Sequence, residues 1–97
     1  MPTYIGLLKF TSQGAKSLKD SPKRREAAAK AIESLGGKLL HTYLTMGRYD
    51  FVAIIEAPDD EAAAKFALIT GAAGNVSTET MRAFSESDFE RLLKALP

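Results

Sequence analysis

The tetrapeptide Gly47-Arg48-Tyr49-Asp50 separates two apolar, strand-like runs, Lys38 to Met46 (KLLHTYLTM) and Phe51 to Ala57 (FVAIIEA). Two strands joined by so few residues must fold back on each other as an antiparallel hairpin. Glycine accepts the positive φ that such a turn requires, and aspartate can bond nearby backbone amides. The rest of the chain has to be arranged around this hairpin. A strand is expected before it at Tyr4 to Phe10 (YIGLLKF), apolar on both parities as in a strand covered on both faces. Another is expected after it at Val76 to Phe84 (VSTETMRAF), where Val76, Thr78, Thr80, Arg82 and Phe84 alternate with Ser77, Glu79, Met81 and Ala83. In the second strand, alternation puts Leu40, Thr42, Leu44 and Met46 on one face and Leu39, His41, Tyr43 and Thr45 on the other.

Helical signals fill the intervals. Thr11 to Asp20 reads as a turn or short helical piece. Ser21-Pro22 starts a helix, since serine can cap and proline suits the first helical position. Ala28, Ala31, Ile32 and Leu35 form its apolar stripe, Glu26 and Lys30 can pair on its wet face, and Gly36-Gly37 stops it. Asp59 caps a second helix carrying Ala62, Phe66, Ile69 and Ala73, whose alanines suggest close approach to a sheet, and Gly74-Asn75 ends it. Ser85 with Asp88 resembles a capping box, with Phe84 and Phe89 placed as a hydrophobic staple. Phe89, Leu92, Leu93 and Leu96 form the stripe of a final helix. The first six elements follow the split βαβ order. The expected fold is therefore α+β and ferredoxin-like, βαββαβ, with a four-stranded antiparallel sheet and an added C-terminal helix.

Composition narrows the class. Ninety-seven residues suit one domain over residues 1–97, and 45% hydrophobic with 26% charged residues is ordinary for a globular chain. Cysteine is absent, excluding disulfides, thiolate metal sites and cysteine nucleophiles. No apolar run approaches the roughly 20 residues of a membrane span, and no signal-like segment opens the chain, so a cytoplasmic location is expected. A net charge of +1 does not suggest nucleic acid. That sum hides an asymmetry: Met1 to Gly47 is +5 and Arg48 to Pro97 is −4. The basic excess, mostly Lys16, Lys19, Lys23, Arg24, Arg25 and Lys30, is either a solvated helix surface or an anion site.

Helices in this fold cover one sheet face. The other would carry residues such as Phe, Leu and Tyr, and a bare apolar face of that size is a liability. A second copy is therefore expected to cover it, giving at least a homodimer formed through the sheet. The terminal helix could cover it instead, or clasp the partner.

Three groups could carry chemistry. At the hairpin tip, Arg48, Tyr49 and Asp50 either make the turn or line a pocket mouth where arginine grips a carboxylate or phosphate. Thr78, Thr80 and Arg82 share one strand face and either meet solvent or line a polar cavity, with Arg82 as anchor for an anion. His41 with Tyr43 could act as a general base and proton donor, or could simply pack. A metal would need His41 with Asp50 or Glu56, which need not share a face. No phosphate-cradling glycine loop, nucleophile elbow or dinucleotide fingerprint is present, so no cofactor and no metal are expected.

The run GRYDFVAIIEAPDDEAAAKFALITGAAGNVSTETMRAF resembles the core of the GYD domain family of small bacterial proteins, and the opening YIGLLKFTSQGAKSLKDSP extends the likeness over nearly the whole chain. The motif residues are Gly47, Tyr49 and Asp50, with Arg48 inserted, a one-residue departure from contiguous Gly-Tyr-Asp. The resemblance implies a fold but no agreed activity. More distantly, the hairpin and the Val-x-Thr-x-Thr strand resemble the effector-binding domain of Lrp/AsnC-type regulators, which implies sheet-mediated dimers and ligands near subunit interfaces. Dimeric α+β barrel enzymes share the architecture. The expected function is a homo-oligomer binding a small anionic or zwitterionic molecule at or near the interface through Arg48, Tyr49, Asp50, Thr78, Thr80 and Arg82. The alternatives are a cofactor-free isomerase or monooxygenase using His41 with Tyr43 or Tyr49, and an assembly module without ligand.

Overall fold

The computed structural model describes residues 1–97. Its elements are β1 (Thr3–Phe10), α1 (Ser12–Lys16), a 3-10 turn (Leu18–Asp20), α2 (Ser21–Ser34), β2 (Lys38–Leu44), β3 (Phe51–Glu56), α3 (Asp60–Ala72), β4 (Val76–Ala83) and α4 (Glu86–Lys94). The four strands form one antiparallel sheet in the order β2-β3-β1-β4, as the split βαβ order requires. No helix is long and apolar enough to cross a membrane.

Local chemistry explains most boundaries. The Asp59 carboxylate accepts the Ala62 amide at 2.8 Å and starts α3. Gly36, at φ +85°, ends α2 while the Gly37 amide donates to the Ile32 carbonyl at 2.9 Å. Ser85 Oγ accepts the Asp88 amide at 3.1 Å and starts α4. Two expectations need correction. Ser21 does not cap α2, because the chain enters already coiled through the 3-10 turn. Asp20 holds the cap position, and Ser21 Oγ accepts from Arg24 instead. Glu26 and Lys30 do not pair; the ion pairs are Glu61–Lys65 at 3.5 Å and Asp88–Arg91 at 3.8 Å, both on exposed helix faces.

The register assigns the sheet faces. Tyr4, Gly6, Leu8 and Phe10 face the helices, beside Ile55, Ala53 and Phe51 of β3 and Arg82, Thr80, Thr78 and Val76 of β4. A bulge between Leu39 and His41 shifts the phase of β2. Leu39 and Thr42 therefore both lie on the helix side, opposite Ile55 and Ala53, while His41 and Tyr43 lie on the other side, opposite Ile54 and Val52. Strict alternation places Leu39 with His41; the extra bulge residue separates them.

The core sits at one end of the helix layer. Ile32 of α2 is fully buried with Tyr4, Ile55, Ala57, Ala62 and Ala63, and Leu35, Leu39 and Phe66 pack around them. The Tyr4 hydroxyl donates to the Asp60 carboxylate at 2.5 Å, tying β1 to the first turn of α3. Burial, then this hydrogen bond and the Asp60 charge, push the Tyr4 phenol above its ordinary 10.0, with Arg82 opposing. The folded state thus favours the neutral phenol. That stability is fully present below pH 10 and is lost as pH rises through the elevated folded value. Tyr4→Phe should cost about 1 kcal/mol at pH 7 for the lost hydrogen bond. The gap between the two proteins should narrow above pH 10 in urea unfolding curves, and a constant gap would contradict the assignment.

At the other end, α1 is locked to the turn between α3 and β4. The Thr11 amide donates to the Asn75 carbonyl at 3.1 Å and its hydroxyl to the Gly74 carbonyl at 2.6 Å. Gly14 is buried there, and a Cβ on it would lie 2.0 Å from the Asn75 carbonyl oxygen. Gly14→Ala ought to help an isolated helix by up to about 1 kcal/mol. Here the backbone clash wins, so denaturant titration should show a net loss of about 1–3 kcal/mol.

Candidate functional site

The helices of the fold do not fill the space above the sheet evenly. Where α2 and α3 meet, Ile32 packs with Ala62 and Ala63. Their other halves line an open-sided cavity of about 480 Å³ against the sheet. Its floor is Gly6, Leu8 and Phe10 of β1, Phe51 and Ala53 of β3, and Thr78 and Thr80 of β4. Its walls are Ala27, Ala28 and Ala31 of α2 and Phe66, Ala67 and Thr70 of α3. Alanine-rich helices over Gly6 and Ala53 leave the room; Phe10 and Phe51 meet edge to face at 5.2 Å and make an aromatic end to the floor.

The lining contains no His, Tyr, Asp, Glu or Lys. Its charged members are Arg24 and Arg25. Arg24 donates to Ser17 Oγ at 2.9 Å, Ser21 Oγ at 3.0 Å and the Gly14 carbonyl at 3.4 Å, so it braces the start of α2. Arg25 Nε donates to Thr42 Oγ1 at 2.8 Å, linking α2 to β2. Neither guanidinium meets a carboxylate.

The structure divides the sequence-derived candidates. Thr78 and Thr80 line the cavity, whose surroundings are mostly apolar. Arg82 shares their strand face but lies at its far end, opposite Tyr4 in the register. Its guanidinium stacks 4.4 Å from the Phe84 ring and donates to the Thr3 carbonyl at 3.3 Å. Phe84 and Phe89, positioned as a staple, both stay half-exposed.

The hairpin tip works as a fastening. Asp50 Oδ2 accepts the Phe10 amide at 2.8 Å, while the Asp50 amide donates to the Leu8 carbonyl and its carbonyl accepts from the Thr45 amide. Gly47 takes φ +127°. Tyr49 donates across β1 to the Glu79 carboxylate on the helix-free face. That hydrogen bond first, then desolvation and the Glu79 charge, raise the Tyr49 phenol above its ordinary value, and Arg48 opposes. Arg48 itself is exposed at the tip. His41 and Tyr43 stack with ring centroids 6.1 Å apart on the helix-free face, away from the cavity. The residues missed from sequence as part of a site are Phe10, Phe51 and Phe66, whereas Arg24 and Arg25 belong to the basic segment read as either a solvated surface or an anion site. The signal available for the three aromatics was the alanine pattern facing a strand with a central glycine, beside a basic segment.

The helix-free face carries Ile5, Leu7, Val52 and Ile54, flanked by Tyr43, 55% exposed, and Met81, 41% exposed. None of α4 is buried, and Phe89, Leu92, Leu93 and Leu96 are 39–65% exposed. The chain measures 52 × 31 × 17 Å, with a radius of gyration of 14.5 Å. A compact chain of this length has roughly 13 Å.

These features define a ferredoxin-like α+β protein with an apolar cavity between its layers. The chain belongs to the GYD domain family, matched over residues 4–93. It is 34% identical over 95 residues, 97% of this chain and all of the other, to a Thermus thermophilus protein named glutamine synthetase and cystathionine beta-lyase binding protein. It also resembles the crystal structure of TTHA0845 from Thermus thermophilus, with 25% identity and a TM-score of 0.55 over 88% of this chain and 95% of that one. The feast or famine regulatory protein from M. tuberculosis, complexed with L-methionine, shares the fold at 13% identity and a TM-score of 0.67, over 88% of this chain and 51% of the regulator.

Proposed function

We propose that this chain is a cytoplasmic, homo-oligomeric binding protein that holds a small, apolar-bodied molecule in the cavity between its helices and its sheet. The cavity carries this reading. Its volume of about 480 Å³ falls within the range of small-molecule sites, roughly 300–1,000 Å³. Protein interiors are otherwise packed like organic crystals, so space of this size beside aromatic side chains is suited to an occupant. Thr78 and Thr80 supply hydroxyls from the floor, and Phe10, Phe51 and Phe66 supply apolar contact. A lining without His, Tyr, Asp, Glu or Lys favours binding over proton-transfer chemistry. The enzyme alternative built on His41 and Tyr43 draws no support from the cavity, since both lie on the opposite sheet face. Calorimetric titration with 1-octanol tests the reading. Saturable binding at one site per chain is the expected outcome, and failure of octanol and of its charged analogues octanoate and octylamine alike would end the proposal.

Homo-oligomerisation is supported by the uncovered apolar face around Ile5, Leu7, Val52 and Ile54 and by the exposed stripe of α4. One observation favours a second reading, in which other proteins are the partners. The Thermus relative is named for binding glutamine synthetase and cystathionine beta-lyase, and the α4 stripe could seat on an enzyme as on a second copy. Co-elution with either purified enzyme in size-exclusion chromatography would support that reading, and independent elution from both would remove it.

A further inference from the structure

The charge pattern of the cavity goes further than its shape. Resting on the reading of this cavity as a small-molecule site, we infer that its ligand is an amphiphilic anion: an apolar body with a carboxylate or comparable acidic head, and no ammonium group. The cavity carries two positive charges, Arg24 and Arg25, and no carboxylate. Arg25 uses only Nε on the protein, leaving the four N–H groups of its fork unengaged. Such a fork matches a carboxylate in bidentate fashion. Ser21 and Pro22 bring the first turn of the fourteen-residue α2 to the same rim, where the helix dipole adds the same sign.

The same pattern disfavours a zwitterion. An ammonium entering the cavity would meet no acid, two guanidinium charges and hydroxyls. The lining amide oxygen of Asn75 accepts from Gln13 Nε2 at 3.1 Å, and what acceptor capacity it keeps carries no formal negative charge. The head therefore lies at the Arg24–Arg25 rim, and the body lies against Phe10, Phe51 and Phe66. This gives the basic segment of the sequence a place in recognition.

Octanoate, 1-octanol and octylamine share one tail and differ in head charge, so the wild-type protein alone can report on the head. Calorimetry at low salt should rank octanoate about tenfold tighter than octanol, with octylamine weakest. Arg25→Gln combined with Arg24→Lys removes one of the two charges and the free fork, and should cut the octanoate-to-octanol affinity ratio at least about threefold; Arg25→Lys in place of Arg25→Gln should restore part of that ratio. Lysine at position 24 keeps a donor at the start of α2, and circular dichroism checks the fold. Equal binding of octanoate and octanol by the wild type would overturn the anion inference while the cavity reading stands. Failure of all three compounds to bind would overturn the cavity reading as well.

Discussion

An Ala28→Leu, Ala67→Leu double variant is expected to fold, to melt no lower than the wild type, and to lose binding of octanol and octanoate. Both alanines are half-buried and line the cavity from opposite helices. Each substitution adds three carbons to space that is open in the structure. At about 0.8 kcal/mol per buried CH₂, full burial would add roughly 2 kcal/mol per site. The intrinsic helical preference of leucine is close to that of alanine, so backbone propensity contributes little. The opposite result has a distinct size: extra carbons forced into a closed core cost about 1–3 kcal/mol. Calorimetric melting therefore distinguishes the cases by sign. Loss of stability beyond about 1 kcal/mol would mean that α2 and α3 close over the sheet in solution. Retained stability with retained octanol binding would place the ligand elsewhere.

The same alanines show why the architecture was easier to read in the sequence than the site. Gly36-Gly37, Gly47, Asp59 and Gly74 punctuate the chain, and each acts through its own backbone geometry or its own cap. The strand and helix order could therefore be read locally. Alanine in a helix has two meanings. At Ala62 and Ala63 it allows the helix to approach the sheet closely, as expected. At Ala28, Ala31 and Ala67 it leaves room. The difference depends on Ile32 sitting between the helices at one end with no counterpart at the other, which is a tertiary fact. The bulge at Leu39–His41 likewise depends on pairing with β3. Asp50 was legible as a turn residue, but its bond to the Phe10 amide, forty residues away in sequence, was not. Arg24 and Arg25 were visible as charge, and only the fold shows that they stand beside an apolar cavity.

On the proposed homo-oligomer, the wild type should be at least a dimer and a Phe89→Asp, Leu92→Asp variant a well-folded monomer at micromolar concentration, as read by light scattering and native mass spectrometry. The two side chains lie on the stripe of α4 and are 55% and 39% exposed in the single chain. No residue of α4 is buried, so the substitutions remove nothing from the core of a protomer. Within an assembly the balance reverses. Burying a Leu or Phe side chain contributes about 1.5–3 kcal/mol, and a carboxylate in its place has to be desolvated without a partner. Loss of two such anchors should weaken association by at least about a hundredfold. Lys94→Gln on the same helix, on the side opposite the stripe, should leave the assembly unchanged. A wild type that is monomeric at millimolar concentration would remove the argument from the uncovered sheet face, because Ile5, Leu7, Val52 and Ile54 would then be stable against water alone. An oligomer indifferent to Phe89→Asp, Leu92→Asp would keep that face as the interface and release α4 from it. The variant should also melt at a temperature independent of protein concentration, whereas the melting point of the wild type should rise with concentration, because association stabilises only the folded chain.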